Sequence, residues 1–392
     1  MSTQPARIYL DYNATHPLLT VAQQAMLDVA DVWGNPSSLH AEGRAARGVI
    51  ERARTDVAAL LGGDRYGVVF TSGGTESDQL GILGLANVAV ATGRPKIIAT
   101  TAVEHPAVAG AVEFLREAGW QVRLLPVDVG GLVQPEGLTS TMLADVGVVA
   151  ISVVNHELGT VQPIVNMAQQ LRASGGFIHV DAVQAAGRLA LAPLAAVVDS
   201  MAISAHKIGG PKGVGALWLN AARRGVDQGL PLLSAGHQER GRRSGTENTM
   251  AIAGFGAAAR AAVTSCGNWA AVAALGERFE QVLAAIPGVT IHGAKAPRVG
   301  GTINAGFAGA RGESIVMALD IAGVAASTGA ACASGSIKPS AVLLGVGLDE
   351  TAARSAVRFS LGHATSAAEI EHLAAQLPPI IMRARMQRPS VP

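Results

Sequence analysis

Between residues 67 and 219 the chain carries seven short runs, largely apolar and rich in β-branched residues: Gly67–Thr71, Lys96–Thr100, Gln121–Leu125, Val148–Ser152, Gly176–Val180, Ser200–Ser204 and Gly215–Leu219. Ala- and Leu-rich stretches of helical character separate them. Strands that are apolar on both faces must be covered on both faces, so strands alternating with helices predict an α/β fold with a largely parallel sheet flanked by helices. A ligand then belongs at the carboxyl ends of the strands. After about Ala262 the pattern changes to a long amphipathic helix around Trp269 to Ile286, then Gly300-Gly-Thr-Ile-Asn-Ala-Gly-Phe307 and shorter alternating pieces. A chain of 392 residues is long for one core. We therefore expect a large domain over 15–262 and a smaller α+β domain built from 1–14 and 263–392. The stretch from Pro378-Pro379 onward is basic and proline-bearing and is expected to fray.

Composition narrows the class of protein. A net charge of +1 with 15% charged residues offers no field for a polyanion, so no nucleic-acid partner is expected. The hydrophobic content is 49%, yet the apolar run 146–154 is broken by Gly147 and Ser152 well short of a spanning length. No membrane partner is expected either. The first residues hold no apolar signal core, and two cysteines make no disulfide scaffold. Those features fit a soluble protein in a reducing cytoplasm.

The chemistry concentrates at the strand ends. Lys207 follows Ser204-Ala205-His206, and Asp181 ends the run Phe177–Val180. A lysine beyond one buried strand and an aspartate ending another are what pyridoxal phosphate requires: an amine for a Schiff base, and a carboxylate that keeps the ring nitrogen protonated. Taken alone, Lys207 reads as a solvated surface charge, and Lys212 is a nearby rival. Gly73-Gly74 followed by Thr75-Glu76-Ser77 reads as a turn opening a helix, where free N–H groups and the positive helix end favour an anion. No Gly-Lys-Ser/Thr follows and no ribose-binding acid is present, so the turn is neither a P-loop nor a dinucleotide fingerprint. Ser204 and His206 can add phosphate donors. His105, at the end of the run finishing near Thr101, either stacks on an aromatic cofactor or is structural. Cys332 lies among Gly and Ala residues typical of an exposed loop, where a thiol can react as its thiolate. Cys266, placed at the start of a helix, carries no such signal. Arg358 alternates with apolar neighbours as in a strand and presents its fork to a carboxylate, or is a surface arginine.

Taken together, these blocks resemble the cysteine desulfurases, the sulfur-mobilising branch of the fold-type I, class V aminotransferase-like enzymes. The resemblance runs over Tyr9–Thr15, Gly34–His40, Phe70–Ser77, Glu104-His-Pro106, His179–Gln184, Ser204–Gly213, Gln238–Asn248, Ala331–Ser334 and Arg358–Gly362, nearly the whole chain. It implies that Lys207 holds pyridoxal 5'-phosphate covalently and shuttles protons, that Asp181 protonates the ring nitrogen, that Gln184 bonds the phenolic oxygen and that His105 stacks on the ring. It further implies a phosphate held by Gly74, Thr75, Ser204 and His206, with Thr246 contributed by the neighbouring subunit of a homodimer. Arg358 would bind the carboxylate of L-cysteine. Cys332 would take the sulfur as a persulfide and release alanine. The spacing from Cys332 to Pro339-Ser340 resembles the long-loop subgroup, which delivers sulfur to an acceptor protein or an iron–sulfur scaffold.

Departures from the family pattern are specific. The block Asn155-His156-Glu157 carries His156 where a second asparagine is usual; that residue normally lies beside the cofactor oxygen and substrate, and Asn155 and His156 are both expected at the substrate. His237 replaces a glycine, and Asp78-Gln79 replace asparagines. His156 is expected either to tune the cofactor by changing charge near neutral pH or to point away and pack. A selenocysteine lyase, another class V enzyme, or a cofactor-binding regulatory protein without turnover remain alternative readings.

Overall fold

The computed structural model describes residues 7–134, 139–223, 225–226, 235–329 and 338–386. Its strands, in chain order, are β1 (Ile8–Tyr9), β2 (Val68–Thr71), β3 (Ile97–Thr100), β4 (Gln121–Leu124), β5 (Val148–Ser152), β6 (Phe177–Asp181), β7 (Ser200–Ser204), β8 (Gly215–Leu219), β9 (Val289–His292), β10 (Thr302–Phe307), β11 (Val324–Ala325) and β12 (Ala356–Ser360). All seven predicted runs form one sheet, in the order β2-β8-β7-β6-β5-β3-β4. Only β8 runs against its neighbours; it pairs antiparallel with both β2 and β7.

Alternate residues of these strands sort into two separate apolar clusters. Val68, Phe70, Val149, Ile151, Ile178 and Val180 belong to one, while Val69, Val148, Ala150, Phe177 and Leu217 belong to the other. That division is why most of the runs lack a polar face: every strand of the sheet except the edge strand β4 is buried on both sides. The helix Gly74–Ala91 lies across β6, β7 and β8 on the second face. It comes so close that a Cβ at Gly81 would stand 2.4 Å from the ring of His179.

A second, antiparallel sheet has the order β12-β10-β9, and β1 pairs in parallel with β11. The helix Trp269–Ala284 packs on β9 and β10. Two expectations need correction. Cys266 does not start a helix; it closes the helix Thr249–Cys266, whose first turn is capped by Asn248 accepting from Ala251 N–H. The end of the chain does not fray at Pro378-Pro379, because the helix Ala367–Met386 continues through both prolines. Burial of Leu377, Ile380, Ile381 and Ala384 in the main core outweighs the two missing N–H donors, and Arg385 donates to the carbonyls of Ala308 and Pro287.

Candidate active site

The carboxyl ends of β5, β6 and β7 meet the N-terminus of the helix Gly74–Ala91 around a cavity of about 250 Å³. Gly74, Thr75, His105, His156, Asp181, Gln184, Ser204, His206 and Lys207 all line it, so nine of the residues singled out in the sequence converge there. The strand geometry explains the convergence: Asp181 is the last residue of β6, Ser204 the last of β7, and the turn Ala205–Lys207 follows directly.

Lys207 Nζ donates to the carbonyl oxygens of Asn13 (2.6 Å) and Ala14 (2.9 Å). Burial, together with the charges of Arg358 and Arg188, lowers its ammonium to about 8. Asp181 Oδ1 accepts from Val183 N–H at 2.9 Å. Burial pushes that carboxyl up, while His105, the Val183 N–H and Lys207 pull it down. His105 caps the helix Pro106–Glu117 by accepting from Ala107 N–H, and its ring meets His156 edge-on at 5.1 Å. His206 Nδ1 lies 3.2 Å from Thr15 Oγ1, and burial lowers its imidazole to about 4.

Burial, followed by His105, Arg358 and Lys207, holds the His156 imidazole well below the ordinary histidine range, which favours the neutral ring. It faces the cavity, and its Nδ1 is buried without a partner, as is Gln184 Oε1. Gln184 Nε2 donates to Asn13 O at 2.9 Å. Partnerless buried polar atoms are costly in a finished core and point to a missing ligand.

Asn155 is placed behind the cavity. Its amide donates to Val103 O at 2.8 Å and accepts from the N–H groups of Glu157 and Leu158, so it shapes the loop that carries His156 and does not line the cavity. Arg358, on β12, is buried; it donates to His156 O and pairs with Asp11 at 2.9 Å. Thr246 is exposed and does not line the cavity. Cys332 lies outside the described residues. Lys212 lines the open hollow at the mouth of the glycine turn and not the cavity itself.

Sequence reasoning missed three contributors. Asp78 lines the cavity and bonds His179 Nε2 at 3.0 Å, while His179 Nδ1 meets Ser200 Oγ at 2.8 Å. Burial, Asp181 and Glu104 push the Asp78 carboxyl well up, and burial takes His179 down to about 3. Glu104, pushed up to about 7 by burial, accepts from Thr101 Oγ1, Ser152 N–H and Ser152 Oγ beneath the cavity. The carbonyls of Asn13 and Ala14 form the lysine's resting place. Only the departure of Asp78 from asparagine was visible as a signal.

A seven-stranded, mainly parallel sheet with a lysine, an aspartate and a helix N-terminus around one cavity defines an aminotransferase-like enzyme. The aminotransferase class-V family profile matches residues 8–373, and the chain belongs to that family. Within it the chain falls among the cysteine desulfurases. A cysteine desulfurase of Cereibacter sphaeroides is 42% identical over 387 residues, covering 98% of each chain. Among solved structures, a NifS-like protein superposes with a TM-score of 0.84 at 29% identity, over 96% of this chain and 100% of that one. The structure of SspA in complex with cysteine gives a TM-score of 0.75 at 29% identity, over 90% and 98%.

Proposed function

We propose that this protein takes sulfur from L-cysteine, with pyridoxal 5'-phosphate as cofactor, leaving L-alanine and a persulfide on Cys332. The observation that carries the reading is the convergence of Lys207, Asp181 and the Gly74 helix N-terminus on one cavity. The residues fit the cofactor: an amine, a carboxylate for a ring nitrogen, free N–H groups for a phosphate, and the two partnerless atoms Gln184 Oε1 and His156 Nδ1. When bound, pyridoxal phosphate supplies an electron sink for the substrate carbons.

Lys207 holds the cofactor and carries the proton taken from the substrate α-carbon; its lowered basicity gives it a neutral fraction near pH 8. Asp181 keeps a proton on the ring nitrogen, and His105 covers the ring. Gly74, Thr75, Ser204 and His206 hold the phosphate, with Thr246 reaching it from the other subunit of a homodimer. Arg358 anchors the substrate carboxylate, which shares the guanidinium with Asp11. The Cys332 thiolate attacks the substrate sulfur: the S–S bond forms, the C–S bond breaks, and its electron pair returns to carbon, where a proton completes alanine. Support for Cys332 comes from both ends of its loop. A Cβ at Gly329 would stand 2.6 Å from Glu157 Oε2, and Ser340 Oγ donates to the same oxygen at 2.7 Å, next to His156. The persulfide then passes to a sulfur-acceptor or iron–sulfur scaffold protein, and we place the enzyme in the cytoplasm; no described helix is long and apolar enough to cross a membrane.

The test is incubation of purified enzyme with L-cysteine and excess dithiothreitol, which reduces the persulfide and releases its outer sulfur as sulfide, followed by assay of sulfide and alanine. Both should form in equal amounts. Cys332→Ser should keep the yellow cofactor band yet make no persulfide, and Lys207→Ala should lose the band. Full turnover by Cys332→Ser would refute the mechanism.

A further inference from the structure

A second hollow of about 210 Å³ shares Lys207 with the cofactor cavity and no other residue. Its walls are mostly carbon, from Leu19, Ala262, Trp269 and Leu361. Into it reaches Arg188, only 7% exposed. Its Nη1 finds Thr302 Oγ1 at 3.5 Å, and its guanidinium lies 5.1 Å from the centre of the Trp269 ring. Among the described residues it has no carboxylate partner; the charge that acts on it is Arg358, of the same sign. Burial lowers it only to about 10, so it stays charged at neutral pH. A buried cation without a counter-charge is strongly unfavourable, and an anion entering the hollow would relieve it.

The lining decides which anion. A sulfate or phosphate would leave oxygens facing carbon walls, whereas a carboxylate matches the guanidinium fork with two oxygens and turns its hydrocarbon to the walls. An amino group would sit close to the Arg188 guanidinium and be repelled. His16 and His363 at the rim are lowered by burial and by Arg188, so they add no competing positive charge. We propose that this hollow binds a small monocarboxylate lacking an amino group, its carboxylate on Arg188 and its body against Trp269 and Leu361. The site is separate from that of the substrate: Arg358 does not line it, and the inference stands whether or not the protein desulfurates cysteine.

The experiment titrates holoenzyme with sodium isobutyrate, followed by calorimetry and by tryptophan fluorescence, because Trp269 forms one wall. Isobutanol and sodium chloride at matched concentrations are the controls. Saturable binding of isobutyrate alone is expected. Arg188→Met should weaken it on the order of tenfold to a hundredfold, the loss of a charge-assisted pair. Should that variant misfold, Ala261→Leu, which fills the hollow and leaves Arg188 in place, should abolish binding in folded protein. Arg358→Lys should leave it intact. No saturable binding, an equal response to isobutanol or chloride, undiminished binding in Arg188→Met or Ala261→Leu, or loss in Arg358→Lys would each overturn the proposal.

Discussion

Lys207 and His156 show how burial sets the chemistry of single groups. Because Arg358 and Arg188 act with burial on Lys207, capture of pyridoxal phosphate by apoenzyme should rise with pH to a midpoint near 8, well below that of a solvated lysine. Removing one cation returns basicity, so Arg358→Met should move the midpoint upward. Stopped-flow absorbance across pH reads both; an unmoved midpoint would remove the electrostatic account. Burial holds the His156 imidazole well below the ordinary histidine range. His156→Asn should therefore change the position of the cofactor band and the size of cysteine turnover, while the pH profiles of the two proteins keep the same shape between about pH 6 and 9. A displaced profile would show that the imidazole titrates in this range after all.

At the scale of elements, the helix Gly74–Ala91 both brings its N-terminus to the cavity and covers the sheet. Its seat is set by Gly81, whose Cα passes the His179 ring, and the ring cannot yield because Asp78 and Ser200 hold both nitrogens. Gly81→Ala should thus destabilise by about 1–3 kcal/mol, against the usual gain from alanine in a helix, and should weaken cofactor retention. Urea unfolding checks the sign. Strands were legible because two-sided burial leaves an unmistakable apolar run. Lys207 and Asp181 were legible because they stand at the ends of such runs. The Asp78–His179 contact was not, since it joins residues 101 apart in sequence through the thickness of a sheet. Nor was the helix through Pro378-Pro379, where packing of Ile380 and Ile381 decides against local preference.

Over the whole molecule, one buried ion pair links the site to the surface loop around Thr246. Arg54 forks onto Glu239 with two bonds of 2.7 Å, and Glu239 also accepts from Phe70 N–H. Arg243, further along the same loop, pairs with Glu76 in the first turn of the helix Gly74–Ala91. Glu239→Gln leaves a charge buried without its partner and should cost about 3 kcal/mol, measured by thermal unfolding. If the loop serves the neighbouring subunit, mixing Lys207→Ala with an impaired Thr246→Ala variant should restore part of the activity once subunits exchange. Exchange without recovery would place Thr246 in its own subunit's site.

The roof over Lys207 is fastened from the far end of the chain. Asn13 N–H donates to Ser360 Oγ at 2.9 Å, Tyr12 N–H to Ser360 O, and Asp11 is paired with Arg358. During synthesis on the ribosome the sheet and its lysine emerge long before β12, so a nascent chain stopped short of residue 356 carries the amine without the strand that fixes its resting acceptors. A product truncated before residue 356 should therefore stay colourless when incubated with pyridoxal phosphate, while the full chain turns yellow.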